Sequence, residues 1–481
     1  MQLDLSAWLA LSHGDRIALS VEGDPGTLSY RELDRLARAW ADRLEGLGVG
    51  PGDRVSLLAP PGLRSVALLL GCLKVGAALV PHNLRATPSE IAGQIQRIQP
   101  RLLLRDPSAP APEDLPFPTA PLDDPPPAEE GGKGRTPPQW ETPALILFTG
   151  GSTGTPKGAV LSLRQLLTNS VQTIVTWRLG PQDSTLVVYP LFHTGGWNVL
   201  TLPLLVAGGL VSLLPRWDPA RALSALKRPG ITVFSAVPSM LGDLASLPEF
   251  SSARFPTLRW AKSGGGTSPP WVVDAFRSKG VPFYQGYGLT EAGPNLFYSD
   301  PEDLSHPSTV GRPGLFSDLR LVDERGDDAN PGELLVAGPL LFNGYHGDPE
   351  ETRATRVGPY FRTGDILRRD GEGFFYFVGR RKLMYKSGGE NVYPTEVEDA
   401  LESHPSIAEA AVVGVPDPKW GEAGVAFYRS ASPLPDDEIR EFLRSRLAHY
   451  KVPREFLRVS AIPRTPAGKK DYPRLLREVP R

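Results

Sequence analysis

Apolar positions along the first hundred residues change period repeatedly, from helical spacing to strand-like runs and back. Ser29-Tyr30-Arg31-Glu32 has the S-x-x-E form of a capping box. Leu33, Leu36, Ala37, Trp40, Ala41 and Leu44 follow at three- and four-residue spacing, which predicts an amphipathic helix stopped at Gly46. Residues 48–60 turn into a strand, and a second apolar helix leads to another strand at 77–81. Further strands are predicted at 144–148, 185–189, 231–236 and 258–263, with a helical stretch after Ser162. Helices alternating with buried strands predict a layered α/β fold, in which ligands collect at the carboxyl ends of strands. From about Val310 the texture changes to short strands and turns. Beyond Lys382 a compact α+β module is predicted, with helices at 395–403 and 436–449 and strands at 408–415 and 424–429. Ile439, Phe442, Leu443 and Leu447 share one face of its last helix.

A length of 481 residues predicts two to four domains, and the change of texture places one boundary at Lys382, giving 1–381 and 382–481. Residues 107–138, crowded with proline and acidic side chains, read as a surface connector. The net charge of −2 gives no electrostatic reason for a nucleic-acid or anionic-membrane partner. The apolar runs at 66–80 and 200–214 are interrupted by Lys74 or by glycines and a proline, so neither reads as a membrane span. A single cysteine, Cys72, forms no internal disulfide and sits in an apolar segment, which predicts a buried hydrophobe and a reducing, cytoplasmic setting. No basic, apolar signal segment opens the chain.

The first chemistry lies in FTGGSTGTPKG, residues 148–158, directly after the 144–148 strand. Glycines let bare backbone N–H groups approach a guest closely, and threonine hydroxyls and the Lys157 ammonium add donors and charge. A polyphosphate is the natural guest of such a loop; a slack solvent loop is the alternative. Pro156 stands where the Walker pattern requires glycine, so the loop is not a Walker loop.

Four more motifs follow in order: YQGYGLTE at 284–291, RTGD at 362–365, GRRKLMYKSGGENVYPTEVE at 379–398 and RTPAGK at 464–469. Together with the glycine loop they resemble the acyl-adenylate-forming superfamily over roughly residues 28–476. FHTGGWN and KSGGENVYP look most like bacterial fatty acid and other carboxylic acid:CoA ligases. The resemblance implies a large N-terminal domain of layered α/β subdomains with a short β-rich portion, and a small mobile C-terminal domain. It also implies a reaction in two steps, with ATP, Mg2+ and coenzyme A. A carboxylate attacks the α-phosphorus of ATP to give acyl-adenylate and pyrophosphate, and a thiol then displaces AMP.

Carried over residue by residue, the resemblance assigns Thr149, Gly150, Gly151, Ser152, Thr153, Gly154 and Lys157 to the β- and γ-phosphates. Thr290 would meet the α-phosphate, Glu291 the magnesium, Tyr287 the adenine, Asp365 the ribose hydroxyls, and Arg380 the ribose and phosphate. Lys469 would reach the attacking carboxylate and α-phosphate. Lys470-Asp471-Tyr472 follow where many relatives carry an apolar residue, and Lys469 is preferred because it succeeds Gly468 directly. Lys382 is the expected hinge, and Lys386, Gly388 and Gly389 the loop that lines a pantetheine channel in the second orientation. His193 would stand where acyl carboxylate and thiol meet, and bulky Trp197, which shares its face if the segment is helical from there, would gate the acyl pocket. Pro238, Ser239, Gly264, Gly265, Gly266, Gly286 and Gly288 are the remaining candidate walls for acid and adenylate. The expected substrate is a medium- or long-chain fatty acid, with an aryl acid as the other option, and a homodimer is left open. A carrier-protein thiol as acceptor, or a catalytically silent acyl- or nucleotide-binding protein, are the rival readings.

Overall fold

The computed structural model describes residues 2–109, 112, 115–123, 125, 135–149, 156–299, 305–306, 309–465 and 468–480. The predicted capping box forms at the first long helix, Tyr30–Gly46. Ser29 Oγ accepts from the Glu32 N–H at 3.2 Å and the Glu32 carboxylate accepts from the Ser29 N–H at 2.8 Å. That satisfies two N–H groups with no helical partner and sets the register that buries Leu33, Ala37, Trp40, Ala41 and Leu44.

Among the described residues, two seven-stranded sheets carry the N-terminal domain. One runs Phe283–Gln285, Trp260–Ser263, Val233–Ala236, Ser184–Val187, Leu210–Leu213, Ile17–Val21, Thr27–Ser29, with every pair parallel except the last. The other is centred on Arg54–Leu58, Ala78–Pro81 and Pro143–Thr149, the last paired antiparallel with Lys157–Ser162. Both sheets bury near-continuous apolar strands, as parallel sheets covered on both faces do. A third, antiparallel sheet includes Gly332–Ala337, Tyr360–Arg369 and Phe375–Arg380, and accounts for the change of texture after Val310.

The chain then crosses through a turn at Arg381–Leu383 into a separate sheet of the C-terminal domain, built around Glu409–Asp417 and Gly421–Arg429. Helices Pro394–Glu402 and Asp436–Arg444 pack on it through Val397, Leu401, Ile439 and Leu443. The last of these helices ends five residues earlier than its apolar spacing predicts. Leu447 still reaches the same core, but from the turn that follows.

The proline-rich connector is pinned at both described ends. Thr119–Pro121 adds a parallel edge strand to Leu102–Arg105, and the Arg135 guanidinium bridges Asp42 at 2.6 Å and Glu45 at 2.8 Å. Cys72 is fully buried and burial pushes its thiol far up, so it packs as a small hydrophobe. No described helix is long and apolar enough to cross a membrane.

One buried group makes stability depend on pH. His82 is 2% exposed, with Nδ1 3.2 Å from Gln94 Oε1 and Nε2 2.9 Å from Ser56 Oγ. The amide oxygen only accepts, so Nδ1 donates and Nε2 accepts from the serine. Burial pulls the imidazole down to about 4. The unfolded chain therefore binds a proton here that the folded chain refuses, and stability falls as pH drops from about 6.5 to about 4. In urea melts across that window, His82→Gln is expected to remove up to about 3 kcal/mol of the acid-side loss.

Candidate active site

The antiparallel register of Tyr360–Arg369 on Phe375–Arg380 sets Asp365 directly opposite Arg380. Arg380 Nε lies 3.3 Å from Asp365 Oδ1, and the Tyr287 hydroxyl donates to Oδ2 at 2.7 Å. Asp365 is 2% exposed; burial raises its carboxyl above the usual range, while Arg380 and the tyrosine pull it back. The result is a fixed carboxylate at the lip of a cleft. Tyr287 arrives there on the turn that follows Phe283–Gln285. That turn closes so tightly that a Cβ on Gly288 would lie 2.3 Å from the Gly293 carbonyl oxygen, which only glycine allows.

The same turn delivers Thr290 and Glu291. Gln165 Nε2 donates to the Thr290 carbonyl at 3.1 Å, and the Tyr345 hydroxyl donates to Glu291 Oε1 at 3.0 Å. Among the described residues no three or more His, Cys, Asp or Glu side chains cluster as a metal cage. A single carboxylate would suit Mg2+, which keeps waters and phosphate oxygens as its other ligands.

The strands on either side of the glycine-rich motif pair antiparallel, with Thr149 opposite Lys157. Gly150, Gly151, Ser152, Thr153 and Gly154 lie outside the described residues. The Lys157 ammonium pairs with Glu351 and sits 5.6 Å from the centre of the Tyr345 ring. Tyr345 thus touches both the loop lysine and Glu291. Neither Tyr345, in the short strand Gly344–Tyr345, nor Glu351, in the helix Pro349–Ala354, belongs to a motif visible in the sequence.

From the C-terminal domain, Lys469 faces this cleft with its side chain open to it. Enclosure by surrounding protein and then Arg380 hold its ammonium below the ordinary lysine range, while Glu291 and Asp365 draw it back up. Lys470 turns the other way: its Nζ donates to Glu398 at 2.8 Å, Glu402 at 3.3 Å and the Ala410 carbonyl at 2.6 Å. Alternation along a strand-like hairpin thereby separates an open lysine from a structural one.

His193 is half-buried at the inner end of the cleft, and burial followed by the nearby Lys469 charge pulls it down to about 4. It is therefore neutral at physiological pH. The helical face expected to join it to Trp197 does not form. Gly195 and Gly196 press onto the Tyr189 ring and the Pro190 carbonyl, and the chain coils as a π-turn, Gly195–Val199, that begins after His193. Trp197 is fully buried in the core with its indole N–H donating to the Leu191 carbonyl, so its position is that of a packing side chain.

Five of the remaining candidate walls, Pro238, Ser239 and Gly264–Gly266, lie side by side. Gly264–Gly266 follow strand Trp260–Ser263, a Cβ on Gly266 would lie 3.5 Å from Pro238, and one on Gly264 would lie 3.5 Å from the Tyr189 hydroxyl. Gly265 takes φ +81, and Pro238 and Ser239 open the helix Pro238–Ala245 beside it. Gly286 lies against Lys262, a buried lysine that no motif had singled out.

Lys386, Gly388 and Gly389 are not brought to the cleft. They form the exposed tip of a hairpin joining Tyr385–Ser387 to Glu390–Val392, with φ +61 and +87 at the two glycines. Lys382 is exposed in the turn that links the two domains' sheets.

Residues 7–346 match the model of the AMP-binding enzyme family, and residues 396–469 match that of the AMP-binding enzyme C-terminal domain. Feruloyl-CoA synthase from Amycolatopsis sp is 36% identical, with 94% of each chain covered. Indoleacetate–CoA ligase from Aromatoleum aromaticum is 34% identical over 97% of this chain and 96% of its own. Among solved structures, o-succinylbenzoate CoA synthetase from Bacillus subtilis, in complex with its acyl-adenylate intermediate, superposes with a TM-score of 0.90 at 28% identity. That match covers 100% of this chain and 99% of the other. Placed beside a cleft where a basic C-terminal hairpin meets Asp365, Arg380 and Glu291, these matches establish that the chain belongs to the AMP-binding enzyme family.

Proposed function

We propose that the protein is an AMP-forming acid–thiol ligase that activates an aryl carboxylic acid with ATP and passes the acyl group to coenzyme A. The observation that carries this reading is the convergence of Lys469 with Arg380, Asp365 and Glu291 across the two domains. An attacking carboxylate and a triphosphate repel each other, so the reaction needs fixed cations and an in-line geometry. Lys469 supplies charge at the attacking carboxylate and the α-phosphate, with Thr290 beside the same phosphate. Asp365 holds the ribose hydroxyls while Arg380 keeps its carboxylate oriented. Tyr287 flanks the adenine, and the glycine-rich segment from Thr149 to Lys157 carries the leaving pyrophosphate. Magnesium held by Glu291 would neutralise phosphate charge.

Neutral His193 stands at the acyl end of the cleft, where its ring N–H donates to the carboxylate without adding charge. Thioester formation uses the other face of the C-terminal domain. The hairpin with Lys386, Gly388 and Gly389, exposed in this orientation, swings toward the cleft about Lys382. The names of the relatives support the aryl class: ferulate, indoleacetate and succinylbenzoate are all aryl acids. Pyrophosphate exchange over a panel of aryl and fatty acids, repeated as thioester formation with coenzyme A, tests the reading. Exchange confined to alkyl acids would overturn the aryl assignment, and exchange without thioester would overturn the thiol.

A further inference from the structure

Lys157 is the one charged side chain in the 148–158 motif, and a carboxylate already holds it. Its ammonium pairs with Glu351, its one ionic partner among the described residues, and the two side chains are 11% and 31% exposed. The same ammonium lies over the Tyr345 ring, whose hydroxyl donates to Glu291. No step described above uses Glu351.

The fold aims that carboxylate. Gly344–Tyr345 pairs antiparallel with Lys157–Ser162, setting Tyr345 opposite Ala159, and the His346 N–H donates to the Gly158 carbonyl at 2.7 Å. The chain then turns into the helix Pro349–Ala354, where the Asp348 side chain accepts from the Glu351 N–H at 3.0 Å. Thr352 Oγ1 accepts from the Tyr345 N–H at 2.9 Å and donates to the Asp348 carbonyl at 2.8 Å, which ties helix to strand. Gly344, at φ +124, lets the two close: a Cβ there would lie 2.8 Å from Thr352 Cγ2. Glu351 is thus rooted on a braced turn beside the phosphate motif.

A carboxylate and a phosphate on one ammonium repel each other, so the two anions exclude one another at Lys157. ATP gains the lysine only as Glu351 releases it, and its apparent affinity falls with the fraction of molecules in which the lysine is free. The reverse exchange helps the product leave. As pyrophosphate departs, Glu351 closes on Lys157, and the ammonium is not left enclosed and unpaired. We propose that Glu351 is an internal anion that competes with polyphosphate for Lys157, holding down the affinity for ATP and easing the release of pyrophosphate. The inference rests on the reading of Lys157 as a ligand of the phosphates.

Equilibrium dialysis of magnesium pyrophosphate and of magnesium ATP, without acid or thiol, tests this. Glu351→Gln is expected to bind both about fivefold tighter than wild type, the worth of a partly exposed ion pair. Glu351→Asp, with its charge on a shorter arm, should fall between. In pyrophosphate exchange, KM for ATP should drop in Glu351→Gln while KM for the acid stays. Lys157→Met should bind both ligands weakly, and adding Glu351→Gln to it should bring no further affinity. If Glu351 only braces the turn, Glu351→Gln binds equally or more weakly, and either result overturns the proposal. A gain that survives in the Lys157→Met background does so as well, because the carboxylate then acts on phosphate without the lysine. Binding by Lys157→Met as tight as wild type defeats the phosphate reading of the lysine, and this inference with it.

Discussion

Lys469→Ala is expected to lower pyrophosphate exchange by about 10²–10³-fold, the usual cost of withdrawing a cation aimed at developing charge. Thioester formation from a supplied acyl-adenylate should stay near the wild-type rate, because the proposed rotation takes Lys469 out of the cleft for that half-reaction. Parallel measurement of the two half-reactions checks the assignment, and equal losses would refute it. The neighbouring lysine gives a control. Lys470→Ala leaves Glu398 and Glu402, 4% and 9% exposed at their side chains, without the ammonium that bridges them. Removing one member of such a cluster should destabilise the C-terminal domain by about 2–4 kcal/mol, read in denaturant melts. Thus one residue shift along the chain should convert a rate defect into a stability defect.

Lys382→Pro is expected to do the reverse of Lys469→Ala: adenylate formation persists and thioester formation falls by about 10²-fold, because a small misplacement of reacting groups costs that much. The present orientation already sets Lys469 beside Asp365 and Glu291, and the turn at Arg381–Leu383 need not move to keep it there. Proline would fix φ at residue 382 and so block the proposed rotation that exposes the other face. Single-turnover assays of each half-reaction are the measurement. A variant that loses both equally would show that Lys382 is no hinge.

Much of the cleft is legible in the sequence because its parts are local. YQGYGLTE carries its own tight turn, so the backbone that presents Tyr287, Thr290 and Glu291 is set within a few residues. RTGD lies on a strand whose partner follows by a short turn, and the Asp365–Arg380 pair is a consequence of that hairpin. The capping box at Ser29 was equally readable, since N-capping joins residues three apart.

What needed the tertiary structure involves long separations or a change of period. Tyr345 meets both Glu291 and Lys157, and Glu351 meets Lys157, across loops that share no motif. Trp197 left the face of His193 because two glycines drew the chain into a π-turn, a departure that four-residue spacing cannot register. Lys262 gave one faint sign, a lysine inside a strand otherwise fit for burial, but its partner lies thirty-three positions away.

The sequence by itself determined the helix–strand order, the change of texture before Lys382, and the motifs that place this chain in its family. Each of these is written in contacts between near neighbours. Only the tertiary structure decided which of two adjacent lysines faces the cleft and which tryptophan is core. Those outcomes depend on how separate sheets and domains close on one another, and the free energy of that closure resides in no single stretch of chain.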